Sequence, residues 1–499
     1  MKYALVYVVA LAFSCCVCEA EEGAKFFVIN EDNDHYFKQD ASLMTKRALE
    51  NYIDSFADTG VTHFFMCPNG QRTSYRTSVW EAIWDDVDGK PPTDIWAVNA
   101  KKLYDDGIDP YSVWIARCRE RGISPWLTMR MNDVHFATTK GYFRNMNYWR
   151  ANPQLWRVPH GGGGNWTDYA FDYSKPEVRQ YCLSLVRELL ERYDVDGLEL
   201  DWMRFCLHLT PGKSFEQRGV LTDFVRRVRG IADEFGRKRG RKIGICARVP
   251  AEPDVGAWLG MDAVEWAREG LVDMLAPSCF FSSADFDMEA RSWRKAGVKI
   301  PLLPALDNGV CGSRRLRRIL MDRAMYNGWI ANMRYGGFSD GLYFFNLVYS
   351  PKLFNEIVRA DISDSALEKL PRRHVLSFRD YMESPDASRR MERLPEKISS
   401  RAEFAIQCGK VPASGEVSAR VDFKDSPDFE KSVFEASLNG GNPVRAESAA
   451  PVGKGRRGTR FKFEPGSARD GVNSLKISLV SGPPQTVEWA EIDFNLNPK

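Results

Sequence analysis

The sequence predicts a (β/α)8 TIM barrel followed by a small C-terminal antiparallel β-sandwich. Three observations predict it. Eight short apolar runs occur between residue 25 and about residue 360, and amphipathic helical stretches separate them. Strands alternating with helices are the pattern of a parallel barrel, and a span of that length suits the fold with insertions. From about residue 399 the helical period gives way to alternation of apolar and polar residues, which marks antiparallel strands.

The eight runs cover 26–29, 63–66, 126–129, 197–200, 243–247, 274–276, 302–305 and 342–345. Of the intervening helices, one carries an apolar stripe of Val178, Tyr181, Cys182, Leu185, Val186, Leu189 and Tyr193, opened by Pro176 in its first turn. Another carries Leu221, Phe224, Val225, Val228 and Phe235. A doubly wound sheet is the alternative, and it would want a phosphate-binding glycine turn after an early strand. The glycines at 161–164 follow no strand and lack the Lys-Ser/Thr of a P-loop, so they read as a surface loop. The polar stretch 361–398, with prolines at 371 and 385, reads as a connector, dividing a 21–360 barrel from a 399–499 sandwich. Strands are expected at 417–423, 459–463, 474–479 and 487–492. No aromatic platform stands out there, so packing is preferred to sugar binding.

Residues 1–20 have the order of a secretory signal peptide: Lys2, an apolar run to Phe13, then Cys18 and Ala20 before a cut. The expected location is secreted or periplasmic. Residues 12–15 also resemble a lipobox weakly, so a lipid anchor on Cys15 is the second option. The remaining eight cysteines are scattered with no short paired spacing, which suits buried thiols better than disulfides or a zinc site. With 69 basic and 67 acidic residues among 499, the net charge is +2. That balance gives no general case for a nucleic-acid partner, and 44% hydrophobic content excludes a disordered chain.

In a barrel of this kind the site lies at the C-terminal ends of the strands. The fourth run continues Glu199-Leu200-Asp201-Trp202-Met203-Arg204. Strand alternation turns Leu198, Leu200 and Trp202 towards the helices and Glu199 and Asp201 into the barrel. Arg130 and Asn132 share the inward parity of Thr128, and Arg248 that of Cys246. Glu199 therefore has two readings, a structural ion pair with an arginine or a catalytic carboxyl; Asp201, nearer the open end, favours function. The rim also receives Asn30, Asp32, Asn69, Arg72, Asp133, His135, Glu252, Asp307, Asn308 and Asn346, and Tyr173 and Trp202 could offer stacking faces.

Residues 196–202, Asp-Gly-Leu-Glu-Leu-Asp-Trp, resemble the fourth-strand motif of family 18 chitinase-type barrels, Asp-Gly-Z-Asp-Z-Asp-x-Glu with Z apolar. Glu199 stands for an Asp of that motif, and Met203 stands where the family carries its catalytic Glu. Segments 62–75, 122–135 and 173–179 extend the likeness to the secreted bacterial barrels called glycoside-hydrolase-like, over most of 25–360. The resemblance implies the architecture and a carbohydrate substrate.

The function expected is a secreted glycoside hydrolase, which needs two carboxyl groups flanking the bond. Asp201 is the first, and its partner is Glu252 or Glu199. Arg130, Arg204 and Arg248 at the mouth suit an anionic sugar or a grip on Glu199. Substrate contacts are expected from Asn69, Arg72, Arg130, Asn132, His135, Tyr173, Trp202, Arg204, Arg248, Asp307 and Asn346. No cofactor and no metal is called for, since six histidines without an HxH pair do not make a metal-dependent amidohydrolase. The alternative is a barrel that binds sugar without cleaving it, favoured by Met203.

Overall fold

The computed structural model describes residues 26–161, 165–279, 283–313, 315–346, 351–379, 392–453 and 455–496. The expected leader with Cys15, residues 162–164 of the glycine run and Pro385 lie outside them.

Eight parallel strands close a barrel in chain order: β1 (Phe26–Glu31), β2 (His63–Met66), β3 (Ser124–Arg130), β4 (Gly197–Asp201), β5 (Gly244–Pro250), β6 (Met274–Ser278), β7 (Ala305–Asp307) and β8 (Gly341–Phe345), which returns to β1. Every expected run enters the wall. The seventh is displaced: Pro304 has no N–H to donate, so regular pairing with β8 begins at Ala305, while Leu302 and Leu303 meet Leu275 through an isolated bridge.

The helix Pro176–Arg192 buries Val178, Cys182, Leu185, Val186 and Leu189. Arg218–Arg239 buries Leu221, Phe224, Val225, Val228 and Phe235, and stops at Gly240, whose φ of 67° is the left-handed cap that glycine adopts without strain. These stripes pack on the outward strand residues Leu127, Leu198, Leu200 and Ile245 in the main core.

A second, smaller core fills the barrel itself: Val28, Phe65, Trp126, Cys246, Met274, Ala276, Tyr343 and Phe345. Trp126 plugs the lower end, stacked on Phe65 with ring centres 4.9 Å apart. Its indole occupies the space a side chain would need at two neighbours, because a Cβ on Gly197 or Gly244 would lie 2.3 or 2.4 Å from the ring. Above this plug the inward residues become polar, and the site begins there.

The C-terminal unit is a β-sandwich. One sheet contains Arg372–Val375, Glu396–Ile398, Glu416–Lys424, Arg456–Phe463 and Gln485–Asn495; the other contains Arg401–Gln407, Val433–Leu438 and Val472–Ser481. Their inner faces meet through Phe404, Ala419, Val421, Phe461, Leu475, Ile477 and Ile492. The connector expected over 361–398 is therefore shorter: Arg372–Val375 and Glu396–Ile398 both pair with Gln485–Asn495. Alternation in a four-residue run, Arg372-Arg373-His374-Val375, is too brief and too charged to signal a strand on its own.

This unit packs on the barrel helix Arg323–Tyr335. His374 Nδ1 lies 2.8 Å from Asn332 Oδ1, and Asn332 Nδ2 donates to Gln407 O at 2.9 Å. A Cβ on Gly328 would meet Arg373 O at 2.2 Å, so the close approach requires glycine there. None of the eight cysteines among the described residues is in a disulfide. Among the described residues no helix is long and apolar enough to cross a membrane.

Candidate functional site

Strand register decides which charges meet. Thr128, Glu199 and Cys246 are Cα partners across β3, β4 and β5, and one layer higher Arg130, Asp201 and Arg248 are partners. The upper layer is charged and the lower one is not.

In the lower layer Glu199 is fully buried, 0% exposed. Its Oε2 accepts from Tyr343 Oη at 2.8 Å, Thr128 Oγ1 at 2.9 Å and Asn30 Nδ2 at 3.4 Å. Oε1 has only the thiol of Cys246, 3.7 Å away. Burial, and then the neighbouring Asp201 carboxylate, push its pKa up to about 7, against the lowering effect of Arg248 and of the Tyr343 and Thr128 hydroxyls. Glu199 therefore keeps its proton well above the usual carboxylate range, and Oε1 is the oxygen left to carry it. The arginine pair expected for it belongs instead to its neighbour.

Asp201 is 2% exposed and accepts four N–H donors. Arg248 grips it bidentately, Nε to Oδ1 at 2.9 Å and an η nitrogen to Oδ2 at 3.0 Å, while Met203 N and Arg204 N donate to Oδ1 at 3.0 and 3.1 Å. Surroundings made only of donors suit the acceptor-only role of a carboxylate. The backbone donors arise because the chain turns sharply after β4, folding its own amides over the carboxylate. Arg248 also donates to Ser278 Oγ at 3.1 Å and lies over the Phe345 ring at 4.3 Å.

A second cluster adjoins it. Arg130 pairs with Asp32 at the end of β1 and, at 2.6 Å, with Asp133 beyond β3. Burial alone would raise Asp32, but Arg130 and Arg204 hold it well below the usual carboxylate range. Burial likewise opposes ionisation of Asp133, and His135 and Arg130 outweigh it. Asp133 Oδ1 faces His135 Nδ1 at 2.8 Å, and His135 Nε2 lies 3.2 Å from Arg204. The mouth is therefore an alternating chain of acids and bases drawn from β1, β3, β4 and β5.

Other expected contacts lie elsewhere. Trp202 is 0% exposed and packs among Tyr173, Phe224, His208 and Trp266 outside the barrel. Tyr173 is buried beside it, donating to Met131 O at 2.6 Å. Both belong to the helix-facing core and cannot stack on a sugar, as the outward parity of Trp202 requires. Arg72 is buried under its own loop, bound to Glu81 and Asp85 O, and Asn69 and Asn132 spend their amides on backbone groups of Arg130 and Phe171. Glu252 leaves the barrel face because Pro253 starts a helix immediately after it, and its carboxylate pairs with Arg379. Asp307 pairs with Arg318. Asn346 sits at φ 60° above β8, its Oδ1 buried and without a hydrogen bond.

Sequence reasoning missed Arg379, which reaches Glu252 and Asp285 from the connector; no local signal marks it. Asp32 and Asp133, expected at the rim as carboxylates just past strand ends, are brought together there by Arg130. Asp32, Asp34 and His35 also bring three ligand-type atoms within 4.8 Å of one another, but Arg130 and Lys38 already neutralise these two carboxylates, so the donor set does not suit a cation.

No family model matches the chain. Among curated proteins it is 20% identical over 200 residues to the 1,4-alpha-glucan branching enzyme GlgB of Photobacterium profundum, covering 40% of this chain and 25% of that one. It is 42% identical over 45 residues to GlgB of Aquifex aeolicus, 9% of this chain and 7% of that one. The chain thus spans at most a quarter of the curated relatives it matches. Among solved structures it is similar to the PgaB (BpsB) glycoside hydrolase domain of Bordetella bronchiseptica, with 10% identity, 68% of this chain and 99% of that one covered, and a TM-score of 0.45. The GH36 alpha-galactosidase AgaB of Geobacillus stearothermophilus gives 12% identity, 92% and 55% coverage, and a TM-score of 0.38. Because one fold hosts many chemistries, function has to be argued from the site.

Proposed function

We propose that the protein is a glycoside hydrolase acting on a poly- or oligosaccharide, with Asp201 as its ionised carboxylate. The observation that carries this reading is the placement of Asp201 at the C-terminal end of β4, locked in one orientation by Arg248 and two backbone amides. A carboxylate so held has the charge and rigidity of a nucleophile or base, and loses no freedom when it reacts. Glu199, directly below with its proton held above the usual carboxylate range, is the candidate for the second carboxyl that such cleavage needs. Arg204 and His135 on the rim supply donors for sugar hydroxyls or an acidic substituent. The GlgB matches are in keeping with carbohydrate chemistry.

A second reading, sugar binding without cleavage, is favoured by Met203 at the place of the family 18 acid and by the internal pairing of every mouth carboxylate. Turnover separates the two. A panel of neutral and acidic polysaccharides, assayed for new reducing ends, should reveal a substrate, and Asp201→Asn should lower its turnover by roughly a thousandfold or more while the thermal transition persists. Equal turnover in the folded variant removes Asp201 from the mechanism, and no activity on any polysaccharide supports the binding role.

A further inference from the structure

Beyond the mouth, a cavity of about 520 Å³ lies between the barrel and the sandwich, within the range of small-ligand sites. Its barrel wall is the hairpin after β7, which contributes Arg317 and Arg318; its sandwich wall contributes Arg373, Arg420, Arg456 and Trp489. Five arginines line it against two acidic residues, Asp322 and Glu488.

Arg317 and Arg456 are the least committed of the five. Arg317 is exposed and forms no ion pair among the described residues. Arg456 approaches Asp422 only to 3.6 Å, and Asp422 is already gripped by Arg420 at 2.9 and 3.0 Å. Arg373 donates through one η nitrogen to both oxygens of Glu491, at 2.7 and 2.8 Å, and through the other to Asp322, while its Nε is buried without a hydrogen bond among the described residues, as is Trp489 Nε1. Burial and the adjacent Glu491 raise the pKa of Asp493, which pairs with Arg460 at 3.0 Å. Apolar surface lies beside them: Leu316, Ile319 and Leu320 line the same cavity, and Leu320 is 67% exposed. One lining residue, Arg318, reaches back to Asp307 and Asn308 at the end of β7.

We propose that this cavity is a binding site for an anionic oligosaccharide, its carboxylate or sulfate groups held by Arg317 and Arg456 and its ring faces against Leu316, Ile319 and Leu320. Guanidinium suits such planar or tetrahedral anions through paired N–H donors, and the adjoining aliphatic side chains suit the C–H faces of a sugar. In a hydrolase, a site that shares Arg318 with the end of β7 would retain the non-reacting part of a chain being processed. That last role rests on the hydrolase reading; the binding itself does not.

Calorimetric titration of the full chain tests it, with tetragalacturonate and a heparin-derived tetrasaccharide as acidic probes and maltotetraose as the neutral one. At least one acidic probe should bind, at least tenfold more tightly than maltotetraose, and its affinity should fall about tenfold or more between 50 and 500 mM salt. Arg317→Ala combined with Arg456→Ala should weaken it at least tenfold, whereas Asp201→Asn should leave it unchanged. Arg317→Glu alone, at an exposed position without an ion pair, gives the same sign if the double variant does not fold. Absence of binding by both acidic probes, equal binding of maltotetraose, or undiminished affinity in the arginine variants would overturn the site. Binding that follows this pattern in a protein with no turnover on any polysaccharide sinks the hydrolase reading alone.

Discussion

Glu199→Gln isolates the buried proton. The amide reproduces the neutral acid: its oxygen can accept from Tyr343 and Thr128 as Oε2 does, and its nitrogen takes the place of Oε1 beside Cys246. In the native protein the carboxyl holds its proton up to about pH 7, whereas its ordinary value is 4.5. Between those values the folded state binds more protons than the unfolded one, so stability falls as pH rises. The contribution is fully present below about pH 4.5, is lost on the way to pH 7, and is constant beyond. At about 1.4 kcal/mol per pH unit, this interval corresponds to roughly 3 kcal/mol. Gln has no proton to lose. The stability of the variant relative to the parent should therefore rise by about 3 kcal/mol between pH 4.5 and 8, read by urea denaturation followed by tryptophan fluorescence. Taking the difference cancels the other titrating groups, including His63 and His208, which burial pushes down to about 4 and which act in the opposite direction. Parallel curves, agreeing within about 0.5 kcal/mol across that interval, would refute a protonated Glu199.

Removing Arg248 should expose the cost of a buried charge: Arg248→Met leaves Asp201, 2% exposed, without its bidentate partner, and loses about 3–5 kcal/mol. Adding Asp201→Asn to that variant should recover part of the loss in the same denaturation assay, and full additivity would show that the two do not interact. Gly197→Ala drives a methyl to 2.3 Å from Trp126 and should destabilise by about 1–3 kcal/mol or more. Trp126→Leu should relieve this clash in a double-mutant cycle; an unchanged melting temperature for Gly197→Ala would contradict the packing.

The inward parity of Glu199, Asp201, Arg130 and Arg248 was legible because a strand's side-chain period is fixed at two. Their pairing was not, because register between parallel strands is set by barrel stagger, and a shift of two residues would have given Glu199 the arginine that Asp201 holds. The same parity, applied consistently, already excluded Trp202 from the site, since its outward face lies under the helices. Arg379 was invisible for a different reason: it acts across more than a hundred residues of sequence, from a segment whose own composition announces only a linker. Burial then orders the mouth cations by availability. Arg130 and Arg248 are 1% and 6% exposed and committed to carboxylates, while Arg204 is 18% exposed, 4.0 Å from Asp32 and with its Nε unbonded. A sugar substituent arriving at the mouth therefore meets Arg204 first, and the Asp201–Arg248 pair behind it can stay ionised and fixed while the substrate settles.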